Sequence, residues 1–262
     1  MAALMGVEER AETLRSTAEE LVGEDELLPL LHGNPSPVCL DSFEPSVSGR
    51  VHIWQGVGKV INVNKMVRAG CRVKILIADQ RTGLKDLSEI RAAGRRAIEV
   101  WKALGMSSDG MDFLWCSEET SRRAHEYWPL VMGISRNHSV RWLASLHADP
   151  DNVAGNQLLE PIMKCADTLF LEKDSRECQR RIHCQLFLWK TLSLREFEVV
   201  PPDGGNRTYV GIEELREDYG SGTLHPRDLK PALAKAINQI LQLVRDHFEK
   251  NCEAKGPCDD VK

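Results

Sequence analysis

The sequence has no apolar run close to the length of about 20 residues that a membrane span needs. Residues 1–15 carry three glutamates and no apolar h-region, which argues against a secretory signal and against a mitochondrial transit peptide. The net charge of −5 supplies no general positive field for DNA, although a local basic face for RNA is compatible with it. These absences predict a cytoplasmic protein with neither a membrane nor DNA among its partners.

Cysteine pairs with C-x-x-C spacing are also absent. The eight cysteines are Cys39, Cys71, Cys116, Cys165, Cys178, Cys184, Cys252 and Cys258. This scatter argues against a zinc module and against a disulfide scaffold. We therefore expect reduced thiols, as in an intracellular protein, and no bound metal.

Apolar runs that alternate with helical patterns are present. "CRVKILIAD", residues 71–79, and "MDFLWCS", residues 111–117, are typical of buried parallel strands. An amphipathic helical pattern lies between them, and this alternation predicts an α/β, Rossmann-type unit. Near the C-terminus, two short β-like runs are joined by a stretch typical of a hairpin or of a tight loop, and a strong helical pattern follows over residues 228–248. We expect the apolar stripe of this helix to pack in a core.

One stretch resembles a nucleotide-binding turn that leads into a helix, "SGRVHIWQGVGKVINVNK", residues 48–65. Trp54, the largest side chain available, stands where such a turn normally has a small residue. We expect the indole of Trp54 to be packed in the core.

Four blocks, in order, resemble tyrosyl-tRNA synthetases of eukaryotic type. "FEPS..SGRVHIWQGVGKVINVNKMVRAGCRVKILIAD" is similar to the signature block, and "FLWCSEE.....AHEYWPLVM" to the segment after the next strand. "QLLEPIMKCADTLFL" is similar to the amino-acid-binding helix, and "GGNRTY...EELREDYGSGTLHPRDLKPALAKAINQILQLVRDHF" to the end of the helical C-terminal domain. The resemblance covers most of residues 35–250.

The resemblance implies a domain organisation with an incomplete parallel sheet. It predicts an N-terminal helical segment at 1–34 and a remnant of the Rossmann-like catalytic domain at 35–185. A remnant of the helical, anticodon-type C-terminal domain follows at 186–250, and a flexible tail at 251–262.

The resemblance also implies a class I reaction, in which ATP and tyrosine form tyrosyl-adenylate and the tyrosyl group then passes to tRNA. Catalysis is positioning and charge stabilisation by a His-Ile-Gly-His type motif, a helix N-terminus and a mobile Lys-Met-Ser-Lys-Ser loop. The motif positions here are His52 and Gln55, and the turn glycines that would approach the nucleotide are Gly49 and Gly56. His52 is either catalytic or a capping residue of the loop–helix junction.

The positions that would bind tyrosine depart from the family pattern. Leu40 replaces a tyrosine that precedes the "FEPS" block, and the helical set Tyr, Gln, Asp corresponds to Glu160, Lys164 and Asp167. Glu160 and Lys164 have the i, i+4 order of a salt bridge, which would occupy the face that the substrate needs. Asp167 is left either to contact an amino group or to join a helix-surface ion pair. Asp79, at the end of a strand, is either a ligand-edge residue or an ordinary turn residue.

Other family parts are missing. No Lys-Met-Ser-Lys-Ser sequence or close variant occurs, and the family's aromatic anticodon reader corresponds to Asp203. A basic cluster of Arg176, Arg180 and Arg181 is either an RNA contact or solvated surface.

These losses together predict a catalytically impaired synthetase-like protein that acts by binding. Its partners would be a second copy, an active synthetase or tRNA, through a dimer-type surface near "EYWPLVMGI". We expect no tightly bound cofactor, and ATP with Mg²⁺ only if activity remains. Two alternatives stay open: a divergent active ligase completed by a partner chain, and a shortened product without a stable fold.

Overall fold

A computed structural model describes residues 5–17, 24–46, 50–80, 86–174, 197–200, 205–209, 212–251 and 254. Its central element is a parallel sheet with the order β1-β2-β3. The strands are β1 Val38–Phe43, β2 Arg72–Ile77 and β3 Met111–Trp115. Val38 pairs with Arg72, and Val73 pairs with Met111. The predicted α/β class and both predicted strands are confirmed, whereas β1 was missed because "VCLDSF" is short and follows a run of breaker residues.

Ten helices surround the strands in the part of the chain that is described. They are α1 Val7–Arg15, α2 Leu27–Gly33, α3 Lys59–Arg68, α4 Leu87–Ala103, α5 Cys116–Arg122, α6 Ala124–Arg136, α7 Val140–Ala144, α8 Gly155–Asp174, α9 Ile212–Gly220 and α10 Pro226–Lys250. A 3₁₀ turn at Glu24–Glu26 precedes α2, and a π-helical turn at Trp54–Gly58 precedes α3. No helix in the described ranges combines the length and the apolarity that crossing a bilayer requires.

In the first hydrophobic cluster, the helices α1, α2, α3 and α4 pack against the sheet. Trp101 of α4 is fully buried there, with Val73 and Ile75 of β2. Ala11 and Leu14 of α1 belong to the same cluster, so the N-terminal helices share one core with the strands.

Helix α4 approaches the sheet closely at Gly94. A Cβ atom there would lie 2.8 Å from the Trp115 ring and 3.1 Å from Ile77. The helix begins at the side chain of Asp86, which accepts a hydrogen bond from the N–H of Ser88 at 3.1 Å. This close packing fixes the position of α4 over β2 and β3.

The second hydrophobic cluster lies between the sheet and two helices, α6 and α8. Tyr127 and Val131 of α6 meet Ala166 and Phe170 of α8, and Leu76 of β2 joins them. The rings of Tyr127 and Phe170 pack edge to face with centroids 5.4 Å apart. This cluster therefore places α8 beside the carboxyl ends of the strands.

A small C-terminal unit is built on an antiparallel hairpin, as predicted. Its strands are β4 Phe197–Val199 and β5 Arg207–Tyr209, and they pack against α9 and α10. In α10, Ala232 and Ala236 are buried, but Leu241 is 36% exposed and Leu243 54% exposed. The predicted core packing of the stripe is confirmed for Leu229 and Leu233, which pack against the buried residues of this unit, and is wrong for Leu241, whereas Leu243 lies outside the stripe.

Candidate functional site

The π-helical turn before α3 is stabilised by the side chain of Gln55. The backbone N–H of His52 donates to Gln55 Oε1 at 3.2 Å, and the N–H of Gly56 donates to the carbonyl of His52 at 2.9 Å. This is half of a capping box, in which a residue three positions on reaches back to the start of the helix. Gln55 is thus a capping residue, while the imidazole of His52 is exposed.

An open cavity of about 650 Å³ adjoins this turn. Its lining residues are Ser46, Arg50, Val51, His52, Ile53, Trp54 and Gln55. Trp54 is half-buried, and its ring lies against Gly58, where a Cβ would approach Cε2 to 3.3 Å. The prediction that Trp54 is a core residue is therefore wrong. Because Gly58 has no side chain, the indole can lie along the first turn of its own helix and form a wall of the cavity.

The structure describes one of the two glycines that were predicted to approach the nucleotide, Gly56, and does not describe the other, Gly49. Gly56 is buried and faces α4, where a Cβ would meet Leu104 at 3.4 Å and Val100 at 3.7 Å. Trp101 of α4 also donates its indole N–H to the carbonyl of Gln55 at 2.8 Å. The structure thus places Gly56 at a close contact between the turn and α4.

The side chain of Asp79, just after β2, forms hydrogen bonds with residues of α4 and α5. Its Oδ1 accepts from the backbone N–H of Ser117 at 2.8 Å. Its Oδ2 accepts from Ser117 Oγ at 2.5 Å and from Arg91 Nε at 3.1 Å. The side chain is fully buried, as a carboxylate can be when it is both paired and hydrogen-bonded. Sequence reasoning singled out Asp79 but missed Arg91 and Ser117.

Asp167 lies inside the second cluster and is 4% exposed. The hydroxyl of Tyr127 donates to Asp167 Oδ1 at 2.8 Å, and the thiol of Cys116 lies 3.6 Å from the same oxygen. Cys116 in turn accepts a hydrogen bond from the amide of Gln80 at 3.2 Å. Asp167 therefore lies beneath the surface of α8, where the hydroxyl of Tyr127 and the thiol of Cys116 contact it.

The predicted salt bridge between Glu160 and Lys164 is confirmed, with Lys164 Nζ bonded to Glu160 Oε1. Lys164 Nζ also lies 3.7 Å from Glu44 Oε2, in the segment directly after β1. Leu40 of β1 is partly buried against the second cluster. Leu40 is therefore an apolar side chain at its position in β1, and Lys164 of α8 joins Glu160 and Glu44 in a three-residue ion network. Glu44 belongs to the "FEPS" block, but its partner could not be read from the sequence.

The predicted residues thus fall into two neighbouring groups. Leu40 packs against the second cluster, and Glu160, Lys164 and Asp167 lie on α8, which belongs to that cluster. His52 with Gln55 lies at the turn before α3. Glu44 and Ser46 connect the groups, since one contacts Lys164 and the other lines the cavity. The cluster of Arg176, Arg180 and Arg181, and also Asp203, lie outside the described residues. Across the ranges that are described, no three His, Cys, Asp or Glu side chains converge in a way that would hold a metal ion.

The family model and the known proteins that match this chain all belong to the tRNA synthetases. The family model of class I tRNA synthetases (W and Y) matches residues 38–180. Tyrosine–tRNA ligase 1, cytoplasmic, of Arabidopsis thaliana is 36% identical over 343 aligned positions, which cover 98% of this chain and 89% of the relative. Tyrosine–tRNA ligase 2, cytoplasmic, of the same plant is 34% identical, and the match covers 98% of this chain and 46% of the relative.

A solved structure shows the same fold. The tyrosyl-tRNA synthetase of Leishmania major in complex with tyrosinol superimposes with a TM-score of 0.80 at 27% identity. That match covers 98% of this chain, but this chain spans 52% of the Leishmania chain. The alignment to the first Arabidopsis relative is longer than the 262 residues of this chain, so the surplus positions fall opposite gaps in it. The chain is shortened internally relative to that protein.

Proposed function

The chain belongs to the tyrosyl-tRNA synthetase family, and from this premise we propose that it acts by binding and not as a working ligase. The observation that carries the proposal is the ion network of Lys164 with Glu160 and Glu44. By the family resemblance, the face of α8 that carries this network is the one that faces the amino acid. A tyrosine that entered there would bring its own ammonium group beside that of Lys164. Each ion pair that it displaced would cost it part of its binding free energy.

Two further contacts support the proposal. Asp167 already accepts a hydrogen bond from Tyr127, a phenol that belongs to the protein itself. Leu40 offers no hydrogen bond to a substrate hydroxyl, and a polar ligand group that loses its partner in a buried site is rejected strongly. Both observations support the proposal that contacts within the chain replace the family's amino-acid site.

Tyrosine-dependent exchange between pyrophosphate and ATP tests this function. We expect the rate of the full chain to equal that of the variant His52→Ala, because a chain that cannot hold tyrosine forms no adenylate. Calorimetric titration of the same preparation with tyrosine should give no saturable heat at micromolar concentrations. Exchange above the His52→Ala control, or saturable tyrosine binding, would contradict the proposal.

The partner that we propose is a second copy of the chain or an active synthetase of the same family. Apolar side chains are exposed on α6 and α7, and we call them the α6–α7 surface. They are Trp128 at 53%, Met132 at 56%, Val140 at 67% and Trp142 at 47% exposure. These four side chains lie on two consecutive helices, and exposed apolar side chains that cluster usually mark an interaction site. We also propose that the chain binds tRNA. A mobility-shift titration with tRNA, repeated at rising salt concentrations, would test this.

The second candidate function is that of a divergent ligase completed by a partner chain. It is favoured by one observation, namely that the cavity beside His52 and Trp54 is open. In that case ATP and Mg²⁺ would be the cofactors, and aminoacylation would appear when an active relative is added.

We also propose a cytoplasmic location, because both Arabidopsis relatives carry that word in their names. A fluorescent fusion of the full chain would test it.

A further inference from the structure

A histidine in the loop between α6 and α7 is stacked on a tryptophan of α7. The rings of His138 and Trp142 have centroids 4.4 Å apart, and their planes differ by 20°. The backbone N–H of Trp142 donates to Ser139 Oγ at 3.2 Å, which caps α7 and fixes the position of Trp142 directly after the loop. Because Trp142 belongs to the α6–α7 surface, the half-buried imidazole of His138 adjoins that surface.

The charged side chains of α6 and α7 near this pair are mainly cations. Arg136 of α6 and Arg141 of α7 flank His138 in the sequence, and both are exposed. The carboxylate of Glu126 lies at the other end of α6, 3.8 Å from the imidazole of His125. Within the described part of α6 and α7, no carboxylate forms an ion pair with His138.

Helix α8 packs behind α6 and α7, and its described residues give His138 no charged partner either. Glu160 of α8 is bound to Lys164. The imidazole of His147, just after α7, lies 3.2 Å from a backbone carbonyl of α8. Two exposed carboxylates follow in the loop between α7 and α8, and they form no ion pair with His138. They are Asp149 and Asp151.

We propose that protonation of His138 opposes self-association through the α6–α7 surface, so that two copies pair at neutral pH and separate in mild acid. This inference rests on the homodimer proposed above. In a two-fold dimer the same surface patch faces itself, so each cation that a copy carries there is brought toward the cations of the other copy. An imidazolium adds a third cation to Arg136 and Arg141, and it would leave water without a carboxylate to pair with. The neutral imidazole can instead be buried with Trp142 as an aromatic pair.

The size of the effect follows from the difference between the free chain and the dimer. Histidine changes its charge between about pH 5 and 8. In the free chain, an imidazolium stacked on Trp142 keeps contact with water and is attracted by the indole ring. The free chain therefore takes up the proton more readily than the dimer does. Since each dimer excludes two protons, the dimer Kd should rise by up to about 100-fold for each pH unit over which the free chain is protonated.

Light scattering of the full chain at about pH 7.5 and about pH 5.5, on either side of the histidine range, tests the inference. At equal protein concentration and ionic strength, we expect the mass of two chains at the higher pH and of one chain at the lower pH. The change should reverse when the pH is raised again.

Three variants identify the group that titrates. His138→Gln and His138→Phe cannot take up a proton, and phenylalanine keeps a flat ring against Trp142. Both should give the mass of two chains at either pH. The matched control is His125→Gln, which removes an exposed histidine of α6 and should separate in acid as the wild type does.

The outcomes distinguish the dimer from its regulation. A wild-type mass of two chains at both pH values overturns the inference but leaves the homodimer standing. The inference is also overturned if both His138 variants separate in acid, because another group then titrates. The same holds if the far-UV circular dichroism of the wild type is lost at the lower pH, because separation then follows unfolding. A wild-type mass of one chain at both pH values overturns the homodimer and its regulation together.

Discussion

At the scale of single residues, the positions that the family resemblance assigns to the substrate make contacts within this chain. Lys164 bridges two carboxylates, and Asp167 is bound by Tyr127. Trp54 lies over Gly58 instead of entering the core, so the tryptophan is compatible with an open cavity beside it. The proposal that the chain does not bind tyrosine therefore rests on polar pairing on α8, and not on an indole that fills the nucleotide turn.

The hydrogen bond between Tyr127 and Asp167 predicts the cost of removing one hydroxyl. Tyr127→Phe keeps the ring in the second cluster but withdraws a donor from a buried carboxylate. We expect the free energy of unfolding to fall by about 1–3 kcal/mol, measured by urea denaturation. The control is Tyr219→Phe, whose side chain is 48% exposed and should cost little. An equal effect of the two variants would show that the bond to Asp167 contributes nothing.

At the scale of elements, the packing of α4 positions both the turn before α3 and the end of β2. Gly56 allows the turn to contact α4, and Gly94 allows α4 to contact Trp115 of β3. Arg91 of the same helix holds Asp79. The helix is thus the common support of the cavity and of the network at the carboxyl end of β2.

Replacement of Gly94 tests this support. Alanine is the better helix former by about 1 kcal/mol, but its Cβ would lie 2.8 Å from the Trp115 ring. We expect Gly94→Ala to lower the free energy of unfolding, since overpacking typically costs about 1–3 kcal/mol. Gly133→Ala on α6 is the matched control, because nothing lies within 4 Å of its added Cβ. If both substitutions stabilise the protein, α4 is not closely packed against β3.

The contact between α4 and α10 predicts a dependence of stability on pH. Glu99 of α4 lies 2.7 Å from Lys102 and 2.9 Å from His247 of α10. Burial raises the pKa of Glu99, but the hydrogen bonds and charges of Lys102 and His247 outweigh it, so the pKa lies below its ordinary value of 4.5. A lowered folded pKa gives stability that is fully present above the unfolded pKa and is lost as the pH falls through the folded value.

Urea denaturation of the wild type and of Glu99→Gln checks this dependence. We expect the two proteins to differ above pH 4.5 and to converge as the pH falls below 4.5. Lys230→Gln, which alters an exposed cation on α10, serves as the control and should leave the pH profile unchanged. A difference that grows toward acid pH would contradict the sign of this prediction.

At the scale of the whole molecule, the α6–α7 surface is the feature that predicts an assembly. Burial of Trp128 and Met132 against another chain would stabilise a dimer, because apolar area removed from water contributes about 25 cal/mol per Å². Light scattering of the full chain should therefore give the mass of two chains. Light scattering of the double variant Trp128→Glu with Met132→Glu should give the mass of one chain. The control is Leu243→Glu on α10, since Leu243 is 54% exposed but lies on a different helix. A wild-type mass of one chain at high concentration leaves a heterologous synthetase as the proposed partner.

Much of the fold could be predicted because its signals are local. The apolar runs of β2 and β3, the amphipathic pattern of α4 and the hairpin near the C-terminus depend on residues close in sequence. The salt bridge of Glu160 with Lys164 was predictable for the same reason, since i and i+4 lie on one face of a helix. The short strand β1 was missed because six residues after a run of breakers carry too little pattern.

The sequence by itself determined the family and the parallel α/β architecture, because blocks in a conserved order and periodic apolar residues need no knowledge of distant contacts. Only the tertiary structure decided which side chains meet across elements. Tyr127 reaches Asp167 from 40 positions away, and Glu99 meets His247 from 148 positions away. Such contacts depend on how helices and strands pack, and the spacing of residues along the chain does not encode them in a form that can be read directly.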